Sequence, residues 1–140
     1  MKNIFTIAFI CCILQIHAQN NTGCFHIGGS DFETAKAMVV TYDGNYVIGG
    51  ITFSYGLGFF DQNFYIVKTE PSGNIIWSYA FGNGFLEVCY DLIETSDHGI
   101  VAVGVAGTGN MLAVKYDENG NQLWLKTIDI LISEEAFAVI

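Results

Sequence analysis

Apolar residues in this chain fall into short runs, each closed by a cluster of Gly, Asn, Asp or Ser. Val47-Ile-Gly-Gly-Ile, Phe64-Tyr-Ile-Val, Ile100-Val-Ala-Val and Met111-Leu-Ala-Val are such runs, and β-branched and aromatic residues of this kind mark strands. Most of the runs are apolar on both faces, which suits sheets packed face to face rather than a sheet with one wet side. The pattern predicts strands at 35–41, 46–53, 63–69, 74–80, 89–95, 100–106, 111–116 and 122–127, with no helix beyond residue 19. Ser96-Asp-His-Gly joins two of them, with His98-Gly99 answering Gly44-Asn45. Gly, Asn and, less readily, His tolerate the positive φ of a tight hairpin turn. Asp117-Glu-Asn-Gly-Asn supplies a Gly-containing hairpin loop between the last two strands.

The same order of runs occurs twice. The segment from Glu33 to Gly50 lies over the segment from Glu87 to Gly104, 54 residues on, and Asn63-Phe-Tyr-Ile-Val-Lys lies over Asn110-Met-Leu-Ala-Val-Lys, 47 residues on. Trp77 is matched by Trp124 at that second spacing, and Glu87 by Glu134. A longer connection in the first unit, within 51–61, accounts for the difference. The unit is therefore 47 residues of four antiparallel strands, present about two and a quarter times, which is the size of a propeller blade. The expected architecture is all-β: a leader at 19–34, one unit at 35–80, a second at 81–127, and the start of a third at 128–140. The alternative is a β-sandwich built from a duplicated pair of hairpins. Because propellers need about four to eight blades, the chain is expected to be a fragment or an incomplete propeller. Completion would come from a longer reading frame or from other copies of the chain.

The spacing Phe81-Gly-Asn-x3-Glu-x-Cys-x-Asp-x-Ile-x-Thr-x-Asp-x-Gly, followed by Val114-Lys-Tyr-Asp-x-Asn-Gly-Asn-x-x-Trp, resembles the bacterial secreted β-propeller repeats. These are common in large exported and cell-surface proteins that carry a C-terminal sorting domain. The resemblance covers 23–140. It implies a propeller-type fold and a place at the cell surface, and says little about activity, since a fold does not define a function. The chain departs from the repeat pattern at Gly49-Gly50 and in the Gly-rich connection that follows.

Met1-Lys-Asn, an apolar run at 4–16 and the small residue Ala18 before Gln19 together read as a secretory signal peptide over 1–18. Cys11 and Cys12 lack the small preceding residues that lipidation would need. No later run is long enough to span a bilayer as a helix. The chain carries 5 Lys and Arg against 14 Asp and Glu, for a net charge of −9, and all five cations are Lys. Nucleic acid is disfavoured as a partner, because phosphate binding needs clustered cations. Beyond the signal, Cys24 and Cys89 remain. Cys89 stands where the other copies have Ala35 and Ala136, so a buried free thiol is expected there rather than a bridge.

Candidate chemistry is sparse. There is no Gly-x-Ser-x-Gly, no His-Glu-x-x-His, no Cys-x-x-Cys beyond the signal and no phosphate loop, so no catalytic, metal or cofactor residue is assigned. Asp117-Glu-Asn-Gly-Asn invites a calcium reading, but its counterpart Glu70-Pro-Ser-Gly-Asn keeps the turn residues and loses most of the carboxylates. Turn chemistry is the better account. Glu33 and Glu87 open each unit, Asp43 and Asp97 recur in the first hairpin, and Trp77 and Trp124 recur in the last strand. Recurrence marks them as structural anchors, with Lys68 and Lys115 near the carboxylates and both Trp side chains largely buried. Tyr55, Phe59 and Phe60, in or beside the connection that breaks the repeat, are the candidate ligand-binding residues for a protein or glycan. Residues 23–29 stand where the last strand of a preceding unit would be. The functional expectation is an exported binding or adhesion scaffold. The alternative is a non-catalytic part of a larger extracellular hydrolase or lyase.

Overall fold

In the computed structural model, residues 24–55, 62–82, 85–129 and 135–140 are described. They form eight strands and no helix: β1 (Glu33–Val40), β2 (Tyr46–Thr52), β3 (Asn63–Thr69), β4 (Ile75–Phe81), β5 (Val88–Glu94), β6 (Ile100–Ala106), β7 (Asn110–Tyr116) and β8 (Gln122–Ile128). Every expected strand is present, with ends displaced by at most two residues. Strands β1 to β4 make one antiparallel meander and β5 to β8 a second, each paired in chain order.

The two sheets share their irregularities as well as their order. Register slips between Ala35 and Ala37 in β1, and between Cys89 and Asp91 in β5, which are matching positions of the repeat. Each bulge faces a glycine. A Cβ on Gly50 would lie 1.9 Å from the Thr34 carbonyl oxygen, and one on Gly104 would lie 1.8 Å from that of Val88. Only glycine allows the bulged strand to approach so closely. The first hairpin needs a positive φ, supplied by Gly44 at 78° and by His98 at 61°. His98 is therefore a conformational solution to the turn. In the last hairpin the same service comes from Gly73 and Gly120.

One face of the first sheet packs on the second, and the faces that meet are unlike. The first sheet presents Val47, Ile66 and Trp77, whereas the second presents the opposite side of its own repeat, with Leu92, Ala102, Val114 and Tyr116. The stack is wedge-shaped in composition. The sheets approach most closely where β5 crosses β1 and β2, and small residues make this possible: a Cβ on Gly49 would lie 2.5 Å from Cys89 Sγ. At the far edge aromatic rings fill the space. Tyr79 stacks on Tyr116 with ring centres 5.1 Å apart and Trp77 lies 5.9 Å from the same ring, which pushes the Tyr116 phenol up to about 12 through burial.

One expectation needs correction. Trp124 occupies the place matching Trp77, opposite Lys115 as Trp77 is opposite Lys68, but it is 36% exposed against 8%. No sheet covers its face among the described residues. Residues 24–29 of the leader form no strand within this chain and lie against the outer face of the first sheet. No closed ring is seen: the described residues make two sheets. Glu134, Phe59, Phe60 and most of the 51–61 connection lie outside the described residues.

Candidate functional site

The recurring polar residues build the same structure in each unit. Asp43 accepts hydrogen bonds from the Thr41 hydroxyl at 2.5 Å and the Asn45 amide at 3.2 Å, and Lys68 Nζ sits 2.8 Å from its other oxygen. Asp97 does likewise with Thr95 at 2.5 Å, Gly99 at 3.4 Å and Lys115 at 2.6 Å. For Asp43, burial pulls the carboxyl upward but the bonds from Lys68 and Thr41 outweigh it, holding it well below the usual aspartate range. For Asp97, the Lys115 and Thr95 bonds lead and the direction is the same. These carboxylates fasten the first hairpin to the third strand.

Glu33 and Glu87 tie the start of each unit to the connection after its second strand. Glu33 accepts from the Thr52 hydroxyl at 2.9 Å and the Gly29 amide at 3.2 Å, and Glu87 accepts from the Gly107 amide at 3.1 Å. Burial raises the Glu33 carboxyl, but bonds from Ser54, Gly29 and Thr52 bring it below its ordinary range. Asp117 receives the Asn119 and Asn121 amides and the Asn121 side chain, all within 2.9 Å. Its carboxylate is thus engaged with the donors of its own turn, as turn chemistry requires.

The concavity lies elsewhere, between the leader and the outer face of the first sheet. A cavity of about 460 Å³ is walled by Phe25, Phe32, Ile48, Tyr65 and Val67, with His26, Asp31 and Glu33 at its polar edge. A second hollow of about 300 Å³ continues along the same face towards Pro71 and Gly73. The larger volume is in the range that admits a small ligand. Asp31 N bonds Ser54 Oγ at 2.9 Å, and Phe53 N bonds the Phe32 carbonyl at 2.9 Å, so the leader is fixed to the end of β2. Tyr55, the described member of the three candidate ligand-loop residues, is exposed and its ring lies 5.6 Å from Tyr65. The structure therefore brings Tyr55 beside the cavity and keeps it apart from the repeated anchors. The sequence reading missed the cavity because the leader has no counterpart with matching side chains in the repeat.

A cross-unit cluster was also missed. The Tyr42 ring stacks on His98 at 3.6 Å, the Tyr42 amide donates to the Glu94 carboxylate at 3.0 Å, and its hydroxyl donates to Glu118 at 3.3 Å. This joins the first hairpins of the two units. Among the described residues both cysteines are free; Cys24 is exposed and Cys89 buried, and burial pushes the Cys89 thiol far up from its ordinary range.

No helix among the described residues is long and apolar enough to cross a membrane. No protein-family model and no curated protein sequence matches this chain.

Proposed function

We propose that the chain is an exported repeat scaffold of the β-propeller type, working by binding or adhesion at the cell surface. The observation that carries this reading is the unlike-face stacking of two matched sheets. A duplicated sandwich related by a two-fold axis would bring the same face of each copy inward, whereas here the inner face of one unit meets the outer face of the next. Repeated addition of that contact, narrow at the first strand and wide at the fourth, turns a stack about an axis on the side of the first strands, as propeller blades do. The repeated acidic and aromatic residues serve the scaffold. What differs between units is the leader, the cavity under it and the connection bearing Tyr55, and departures from a repeat are where such scaffolds meet ligands.

The test has two parts. The chain expressed with its own residues 1–18 should be recovered outside the cytoplasm and lack that segment by mass. The labelled protein should then bind a subset of an array of surface glycans, with binding weakened several-fold by Tyr55→Ala. Retention of the whole chain in the cytoplasm would overturn the exported reading. Glycan binding unchanged by Tyr55→Ala would overturn the assignment of the site.

A further inference from the structure

We infer that the open face of the second sheet is a docking surface for the outer face of the first sheet of another copy of this chain, joined head to tail. This rests on the stacking of the sheets and not on the adhesion reading. The molecule holds both halves of the contact, and its interior shows how they fit. Inside, the Trp77 ring lies against Gly120, so close that a Cβ there would meet the indole at 2.8 Å. The repeat maps Trp77 onto Trp124 and Gly120 onto Gly73. Trp124 is a knob of the same kind left partly in solvent, and Gly73 is the corresponding seat at the opposite end of the molecule.

That seat has a provisional occupant. The Phe25 ring lies where a Cβ on Gly73 would meet it at 2.3 Å, and Phe25 is itself 48% exposed. Among the described residues the leader's hydrogen bonds begin at Gly29, so 24–28 rest on side-chain contact above a hollow. At the other end, residues 135–140 lie on the second sheet through the Ala136 amide to the Gly104 carbonyl at 3.3 Å and the Val139 amide to Asp91 at 2.9 Å. They cover the narrow part of that face, as β5 covers the first sheet, and an incoming β1 would take their place. Both occupants are short, and 135–140 is held also by the Phe137 ring, 4.9 Å from that of Tyr90, so an incoming copy has to displace a ring contact and two backbone-amide bonds.

Charge favours the same pairing. In the interior contact Tyr79 stacks on Tyr116. The matching residues at the outer contact are Lys126 and Thr69, with Glu70 beside Thr69. Lys126 is exposed and its Nζ lies 5.8 Å from the Trp124 ring centre. Glu70 is exposed and is held below the ordinary glutamate range by bonds from Asn74 and Ser72, so it is an anion waiting at the socket. In a chain of net charge −9, a cation on the knob face opposite an anion at the socket selects one orientation. The contact is heterologous and would continue past a dimer until the stack closes.

The experiment is sedimentation velocity of the full chain over a wide concentration range. Wild type should associate reversibly, and Phe25→Ala should strengthen association by freeing the seat. Trp124→Ala should weaken it by more than about tenfold, as loss of a central aromatic anchor does. Lys126→Glu and Glu70→Lys, both at exposed sites, should each weaken it, and the double exchange should restore it. A chain that stays monomeric with and without Phe25 would overturn the inference. So would association indifferent to Trp124 and to both charge reversals, since a contact made by any other part of the chain would behave that way.

Discussion

The two units are one design in two settings, and the comparison separates what the fold requires from what a neighbour adds. In the first unit the third- and fourth-strand anchors are covered by the second sheet: Lys68 is 4% exposed and Trp77 lies between rings. In the second unit Lys115 keeps its Asp97 partner and Trp124 keeps its place in the register, yet both are wetter. Strand order, bulges and turns survive without a covering sheet; burial of the anchors does not. Local residues thus set each sheet, and the neighbouring sheet sets the energy.

The largest contrast should come from the tryptophans. Trp77→Ala removes a buried ring and is expected to cost about 3–5 kcal/mol. Trp124→Ala removes a ring with much of its surface in water and should cost about 1–2 kcal/mol. Denaturant midpoints of the two variants at equal slope measure the difference. Equal losses would mean that Trp124 has a covering partner in solution.

The carboxylates come next. Asp43→Ala would leave the Lys68 ammonium buried without its partner. For a fully enclosed pair that costs about 3–5 kcal/mol, and since Asp43 is itself partly wet the loss should be nearer about 2 kcal/mol. Asp97→Ala should cost less, because both its partner and its own oxygens reach solvent. Acid titration sharpens this. Both carboxyls are held below their ordinary range, so their contribution is complete above the ordinary aspartate value of about 3.9. It is lost as pH falls through their folded values. Stability should therefore drop below about pH 4, and Asp43→Asn should flatten that drop more than Asp97→Asn.

These contrasts also show what was readable in the chain. Short apolar runs rich in β-branched and aromatic residues, turn residues and the 47-residue recurrence located all eight strands, because strand and turn preferences are local properties. Recurrence of Glu33 with Glu87 and of Asp43 with Asp97 pointed to anchors, and each of these carboxylates accepts bonds from donors of its own unit or the leader beside it. Burial was not readable in the same way. Trp77 and Trp124 sit in nearly the same local sequence, and only the presence of a sheet above one of them separates their exposure. The cavity under the leader was equally silent, since it is bounded by residues of a segment that has no regular structure. Tyr42 bridging to Glu94, His98 and Glu118 depends on how two hairpins meet, which no single-strand pattern encodes.

Position 49 gives a smaller test of the same contrast. Alanine in place of glycine within a strand ordinarily adds stability of roughly 0.5–1 kcal/mol. At Gly49 the new Cβ would press on Cys89 Sγ and Leu92 at under 3.0 Å, so Gly49→Ala should instead destabilise by about 1–3 kcal/mol. The matching residue of the second sheet is Val103, where a full side chain is buried. A stabilised Gly49→Ala variant would show that the sheets part easily at their narrow edge.

The least disruptive probe of that edge is the thiol that makes it. Cys89 is fully buried between the sheets and its thiol is pushed far up by burial, with nearby Asp91 adding to the shift. The thiolate is the reactive form, so alkylation requires the second sheet to lift from Gly49 before the sulfur can ionise. Cys24 is exposed and open to reagent. Mass spectrometry after timed iodoacetamide treatment should find Cys24 modified first and Cys89 protected until denaturant is added. Trp77→Ala should then shorten the Cys89 protection, because the ring wedging the wide edge is gone, and Trp124→Ala should leave it unchanged. Equal labelling of the two thiols in the native protein would place the sheets apart, and the stacked pair would no longer be the folded state.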